Sequence, residues 1–388
     1  MDTTQSTQYP LDPFPHYERM RAAAPVFHDE QSGSWHVFRY DDVQRVLSEH
    51  ATFSSRMGGD APSGSGQLFA SSLITADPPR HRQLRSLVTQ AFTPKAVDAL
   101  APRISALTNE LVDGIMARGG SADLIQDLAY PLPVIVISEL MGIPAQDRER
   151  FKHWSDTIVS QTRTGPGSGS QDTTTSEMVE YFLDLIDQRR SQPGEDLISS
   201  LLSAEIEGQK LSVPELLGFC ALLLVAGNET TTNLLGNAVL CLSESPGTLD
   251  RLLKEPALLP PTLEEVLRFR SPVQSMYRVS VAETEVGGER IQAGAPIVAW
   301  IGSANRDERQ FERAAEFHVD RSPNRHVAFG HGIHFCLGAP LARLEARIAL
   351  EALLARLPGL SVASGAHLER MESTIVYGLK ALPITWQA

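Results

Sequence analysis

Apolar residues along most of this chain recur at helical spacing, and strand-like alternation is confined to short runs near the two ends. Trp35-His36-Val37-Phe38 reads as a strand, and Asp41 to Leu47 as a helix start with acids in its first turn. From residue 78 to about 205 the pattern is mainly helical. After residue 271 short β-like runs (Tyr277–Val281, Pro296–Trp300, Ser373–Tyr377) alternate with turn residues. Leu337 to about Leu357 is helical again and stops near Pro358-Gly359. The sum is a mainly α (α+β) chain with small peripheral sheets. Length alone suggests two or three domains. No linker separates independent halves, so residues 1–388 read as one domain.

The most informative helix is expected from about Ser212 to Ser243. Ser212 and Glu215 have capping-box spacing, Pro214 sits in the first turn, and Pro246 lies just beyond the end. A helix of about 30 residues spans about 45 Å, enough to cross a domain. It is apolar nearly all round from Leu216 to Ala226, which predicts a central, buried position. Ala226-Gly227-Asn228-Glu229-Thr230-Thr231 interrupts it with an acid and two hydroxyls, which are costly to bury without partners. Thr230 is placed to bond back to the carbonyl of Ala226 and bend the helix. Gly227 removes a side chain where a flat ligand would approach. The other reading is a polar patch that bridges buried helices.

Two glycine-rich segments read as surface loops or as flaps over a pocket: MGGDAPSGSGQ (57–67), with the apolar exit Leu68-Phe69-Ala70, and TRTGPGSGSQD (162–172). The net charge of −13 argues against non-specific nucleic-acid or bilayer binding. The first twenty residues show no secretory signal, and no run of about 18 apolar residues predicts a membrane anchor. Three cysteines are too few for a disulfide framework, and a reducing cytoplasm is expected.

Phe329 to Gly338 reads FGHGIHFCLG. Gly330, Gly332 and Gly338 would let backbone pass close to something flat and bulky. Cys336 directly precedes a helix, where free N–H groups and the dipole favour a thiolate and so an anionic metal ligand. A cysteine is otherwise a small buried hydrophobe, which is the reading for Cys220 and Cys241. A zinc set of His331, His334 and Cys336 is the remaining alternative, but its spacing does not match common structural pairs.

This segment resembles the haem-binding signature of the cytochrome P-450 superfamily, F-G-x-G-x-H-x-C-x-G, at every fixed position, including Phe329, His334, Cys336 and Gly338. The resemblance implies the triangular, helix-rich P-450 fold, with the Cys336 sulfur as proximal iron ligand, which favours O–O cleavage. Without a CxxCH motif the cofactor is expected to be non-covalent heme b. The run 226–231 resembles the oxygen-binding motif A-G-x-E/D-T-T. That implies Ala226 and Gly227 beside the haem, Thr230 in oxygen activation and Glu229 in the proton relay. Glu265 and Arg268 match E-x-x-R, with Arg321 as the third member of a structural network. His81, Arg85, Arg278 and His334 are implied as propionate partners. One departure is the absence of prolines in DERQFERAAEFHVDR (307–321), which leaves that loop's path open.

The resemblance implies oxygen insertion into a hydrophobic small molecule such as a fatty acid, terpenoid, steroid or polyketide. The expected pocket draws on Leu68, Phe69, Ile74, Leu222, Val225, Val273, Gln274, Ile375 and Val376. O2 is the co-substrate, and electrons are expected from a ferredoxin or flavodoxin with its reductase. A locally basic face at Arg80, Arg82, Arg85, Lys95 and Arg103, extended by Arg343 and Arg347, would steer such a partner or would be a plain solvated face. Two rivals stand beside this reading: a peroxide-driven haem enzyme and a non-enzymatic haem or gas-binding protein.

Overall fold

The computed structural model describes residues 12–56, 69, 71–90, 92–164, 171–206 and 208–387. The chain opens with α1 (Phe14–Ala23), β1 (Val26–Asp29), β2 (Ser34–Val37), α2 (Tyr40–Ser48) and β3 (Phe53–Ser54). A helical middle follows: α3 (Arg80–Thr89), α4 (Ala101–Met116), α5 (Pro131–Leu140), α6 (Arg148–Thr164), α7 (Gln171–Ser191), α8 (Val213–Ala226), α9 (Glu229–Glu244) and α10 (Leu259–Phe269). β4 (Met276–Ser280), β5 (Pro296–Ala299) and α11 (Ala339–Arg356) close the framework.

The largest sheet joins both ends of the chain in the order β1-β2-β5-β4-β3. β2 and β5 pair in parallel, with His36 opposite Val298, and the remaining pairs are antiparallel. Val37, Ile297 and Ala299 of this sheet bury against Val43, Val46 and Leu47 of α2 in a small core. A larger core fills the helical part, where α11 packs against α4, α9 and α10. Alternation over 373–377 gives no strand, only an isolated bridge from Val376 to Val273. The segment 57–68 lies outside the described residues. The second glycine-rich loop is shorter than expected, because α6 runs to Thr164 and α7 begins at Gln171, with 165–170 outside the described residues.

The long central helix is two helices, α8 and α9, broken at Gly227-Asn228. Its start follows the sequence: Ser212 and Glu215 form the capping box, and Glu215 accepts from the Ser212 N–H at 2.9 Å. The break follows from the polar run. Thr230 donates to the Ala226 carbonyl at 2.9 Å and Thr231 to that of Gly227 at 3.3 Å, so both hydroxyls compete for carbonyls four residues back. Part of the run does bridge buried helices, since Asn228 donates to Ser155 of α6 at 3.1 Å. Gly227 lines the cavity, and it has a packing reason besides the one expected. A Cβ there would lie 2.9 Å from the Ile137 side chain, so the glycine permits close packing on α5. Across its 32 residues the stretch Val213–Glu244 is long and apolar enough to cross a membrane, contrary to the count of uninterrupted apolar residues. Its half of contiguous buried positions, Thr231 to Leu242, packs in the core, while Leu222, Leu223 and Ala226 face an internal cavity.

Candidate active site

The cysteine loop is closed by its own backbone, with the Cys336 N–H donating to the Phe329 carbonyl at 2.9 Å. Gly330 and Gly332 adopt φ of +74° and +69°, conformations that disfavour other residues. A Cβ on Gly332 would lie 2.8 Å from the Ser48 backbone, so this turn is fitted against α2. Gly338 caps α11, and a Cβ on it would come within 4.0 Å of the Cys336 sulfur. Cys220 and Cys241 are buried, whereas the accessible surface of Cys336 lies on the cavity it lines. The surrounding protein raises its thiol, and the Gly338 N–H, the Arg85 charge and the Ala339 N–H oppose that. Among the described residues no three His, Cys, Asp or Glu are placed to hold a metal ion, so the zinc set of His331, His334 and Cys336 is not assembled. Instead His334 Nε2 lies 2.9 Å from the Ser55 hydroxyl.

Beside the cysteine stands a group of basic side chains, with Asp77 as the acid near them among the described residues. Arg85, Arg278 and His334 line the cavity, and the His81 ring lies 4.3 Å from that of His334. Among the described residues neither arginine forms an ion pair. Burial lowers Arg85, and it lowers Arg278 to about 10. Burial, with Arg85 next, holds His81 down at about 4, and its Nε2 has no hydrogen-bond partner. Burial and the neighbouring Arg278 and His81 bring His334 to about 3. Asp77 is the nearby acid, and it already accepts from Ser54 and Ser55. Two arginines with two neutral imidazoles to donate beside them fit an incoming pair of carboxylates.

The rest of the cavity is largely apolar. Ile74, Leu222, Ala226, Gly227, Thr230 and Val273 line it, joined by Leu73, Phe92, Phe219 and Leu223, which sequence reasoning did not single out. Other expected pocket residues do not line it. Phe69 and Val225 pack on the main core. Gln274 is buried as a polar tie, donating to the Ser271 carbonyl at 2.6 Å and accepting from the Tyr17 hydroxyl at 3.0 Å. Ile375 and Val376 meet residues 273–274 through backbone. Leu68 lies outside the described residues. Glu229, half-buried at the start of α9, is absent from the cavity wall that Thr230 joins.

The chain matches the cytochrome P450 family over residues 26–166 and 169–376. The chain belongs to the cytochrome P450 family. It is 45% identical to the putative cytochrome P450 YjiB of Bacillus subtilis (strain 168), with 96% of this chain and 93% of that protein covered. It is 40% identical to the erythromycin C-12 hydroxylase of Saccharopolyspora erythraea, with 94% and 92% covered. The crystal structure of CYP109E1 from Bacillus megaterium in complex with testosterone superposes with a TM-score of 0.87 at 44% identity, covering 97% of this chain and 100% of that one. The chain is accordingly a haem-dependent monooxygenase. Its family uses O2 and separate redox partners on small hydrophobic substrates.

Two further features of this cytochrome P450 lie outside the cavity lining. Glu265 and Arg268, both fully buried, pair at 2.8 Å, and Arg321 joins Glu265 at 3.0 Å. Arg268 also donates to the carbonyls of Asn305, Ala314 and Glu316, and Arg321 to that of Glu312. The proline-poor loop is thus held by arginine–carbonyl bonds. The basic face is weaker than its sequence suggests. Arg80 pairs with Glu215 at 2.6 Å, Arg103 with Glu139 at 2.8 Å, Arg343 with Glu264 at 2.7 Å and Arg347 with Glu351 at 3.2 Å. Arg82 and Lys95 remain exposed without an ion pair among the described residues.

Proposed function

We propose that Cys336 holds the iron of non-covalent heme b through its sulfur, within a single catalytic domain spanning the chain. The observation that carries this is one cavity lined both by Cys336 and by the polar break at Ala226 to Thr231, with unpaired Arg85 and Arg278 on its wall. Bound in this way, haem-thiolate supplies the O2 activation that inserts one oxygen atom into a C–H or C=C bond. Arg85, Arg278, His81 and His334 hold the two propionates, which supplies the anions these buried groups lack. Thr230 stands at the cavity with its hydroxyl donating to the Ala226 carbonyl, so its oxygen accepts from a proton-carrying water there, and Glu229 beside it in the chain belongs to the relay to solvent. Leu222, Leu223, Phe92 and Phe219 exclude water and hold an apolar substrate. The named ligand and activity of the two relatives favour a molecule of steroid or macrolide size.

Electrons arrive from a ferredoxin or flavodoxin with its reductase in the cytoplasm. With Arg80, Arg103, Arg343 and Arg347 in ion pairs, Arg82 and Lys95 are the groups left to steer an acidic carrier. The test of the central assignment is the spectrum of the reduced carbon-monoxide complex. Wild type gives the thiolate-type red shift and Cys336→Ser loses it; a Cys336→Ser protein that keeps the shift overturns the assignment. Titration of the haem spin state with steroids and macrolides reads the substrate class directly. Turnover with surrogate redox partners, compared with peroxide alone, identifies the electron source.

A further inference from the structure

α8 ends at Ala226 and α9 begins at Glu229. In a continuous helix the Asn228 N–H would donate to the Leu224 carbonyl, four residues back. At the break it does not, and the carbonyl of the fully buried Leu224 accepts instead from the Ser155 hydroxyl of α6 at 3.2 Å. The same hydroxyl accepts from the Asn228 side-chain amide at 3.1 Å. The Asn228 side-chain oxygen accepts in turn from Thr232 at 3.4 Å. Thr232 also donates to the Ala129 carbonyl at 3.0 Å, in the π-helical turn Ile125–Ala129. The directions agree throughout: Ser155 gives its one proton to Leu224 and receives one from Asn228.

Ser155, Asn228 and Thr232 are all buried, and none of them lines the cavity. Ala226, Gly227, Thr230 and Thr231 do line it, so the Ser155 network holds the break from the side away from the chemistry. The bonds of Thr230 and Thr231 to carbonyls four residues back weaken the helix here, but such bonds also form in unbroken helices. The Ser155 bond is different in kind. It takes a carbonyl that the backbone has vacated, so it favours the broken helix over the continuous one. Without it, a buried carbonyl would lack a donor, which a closed helical turn would supply.

We propose that Ser155 is a positioning residue for oxygen activation: its hydroxyl holds the central helix open by replacing the Asn228 N–H at the Leu224 carbonyl, and the Asn228 side chain fixes that hydroxyl in place. The pair acts through the break, which sets where Thr230 stands on the cavity wall. The proposal rests on the reading of Thr230 as the oxygen-activating hydroxyl. When Ser155 is removed, the Asn228 N–H returns to Leu224, the turn 224–228 closes, and Thr230 leaves its place.

Crystal structures and coupling measurements on the holoenzyme test this, with wild type, Ser155→Ala, Thr230→Ala and the double variant compared. The structure of Ser155→Ala should show the Asn228 N–H donating to the Leu224 carbonyl. Turnover is read with the steroid or macrolide that shifts the spin state most. Product per electron pair should fall about fivefold in Ser155→Ala, the shift that one ordinary hydrogen bond makes in a two-state balance, with the missing electrons recovered as peroxide. The double variant should be no worse coupled than Thr230→Ala, because Ser155 works only through that residue. A lost hydroxyl that only loosened the fold would lower stability and leave coupling alone. Ser155→Ala with an intact break, with wild-type coupling, or with a loss that adds to that of Thr230→Ala overturns the proposal. If Ser155→Ala does not fold, Asn228→Ala, which frees the Ser155 hydroxyl, decides by the same coupling readings. Thr230→Ala at wild-type coupling overturns the reading of Thr230 and this inference with it; an uncoupled Thr230→Ala beside a normally coupled Ser155→Ala overturns this inference alone.

Discussion

The hydroxyl of Thr230 donates to the carbonyl of Ala226 at 2.9 Å, across the break that divides the central helix into α8 and α9. The bond consumes the threonine's only proton, so in this state Thr230 has its oxygen lone pairs to offer the cavity it lines. A hydroxyl placed to accept there holds a proton-carrying water in position. Thr230→Ala removes that acceptor without changing the apolar walls. Product formed per electron pair should fall by roughly tenfold or more, with the missing electrons recovered as peroxide. Thr230→Ser should restore most of the coupling. Peroxide assays alongside product analysis check both, and equal coupling in Thr230→Ala removes the role.

His81 and Arg85 occupy one face of α3, four residues apart, and neither has an ion-pair partner among the described residues. Each charge-assisted bond to a propionate contributes about 1.5–3 kcal/mol. The double variant His81→Ala, Arg85→Ala should therefore release haem roughly 10²-fold more readily or worse. Transfer of haem to an excess apo-globin acceptor measures this, and a fully loaded double variant that releases haem at the wild-type rate contradicts it.

How much of this was legible in the sequence depends on how local the determinant is. The capping box at Ser212 and Glu215, the Thr230 bond to the Ala226 carbonyl and the glycine turn before Cys336 are fixed by residues within a few positions of one another, and each was readable, though the helix breaks at Gly227-Asn228 where a bend was expected. The pocket was not. Gln274 and Ile375 follow the expected segments, but their placement depends on contacts from Tyr17 and the chain's far end. Periodicity cannot tell a cavity wall from a core, so Phe219 and Val225, both apolar positions of α8, look alike in sequence and differ in the fold. Local composition likewise cannot show that acids from distant helices neutralise Arg80 and Arg343.

Glu265 is the common partner of Arg268, Arg321, Asn324 and the His318 N–H. Glu265→Gln keeps the shape and removes the charge, leaving Arg268 buried and uncompensated. Breaking one side of a buried pair costs about 3–5 kcal/mol. Denaturant unfolding of the variant should show a loss of that order, together with weaker haem retention as the loop 305–321 loosens. A variant within about 1 kcal/mol of wild type would mean that the carbonyl bonds to Arg268 suffice.

Glu264 gives the acid limb of stability a specific origin. Burial alone would raise its carboxyl, but Arg343 at 2.7 Å and His326 at 3.0 Å outweigh that and bring it to about 2 from an ordinary 4.5. Its folded value is depressed, so the stability it contributes is present above about 4.5 and is lost as pH falls towards 2. The group is partly solvated, so the contribution is discounted to the order of 1 kcal/mol. Glu264→Gln should be less stable than wild type at neutral pH and approach it in acid, as the wild-type carboxylate takes up its proton. Denaturant midpoints of the two proteins at several pH values between neutral and the acid limit check this; curves that stay parallel throughout would show that the Arg343 and His326 contacts do not link Glu264 to folding.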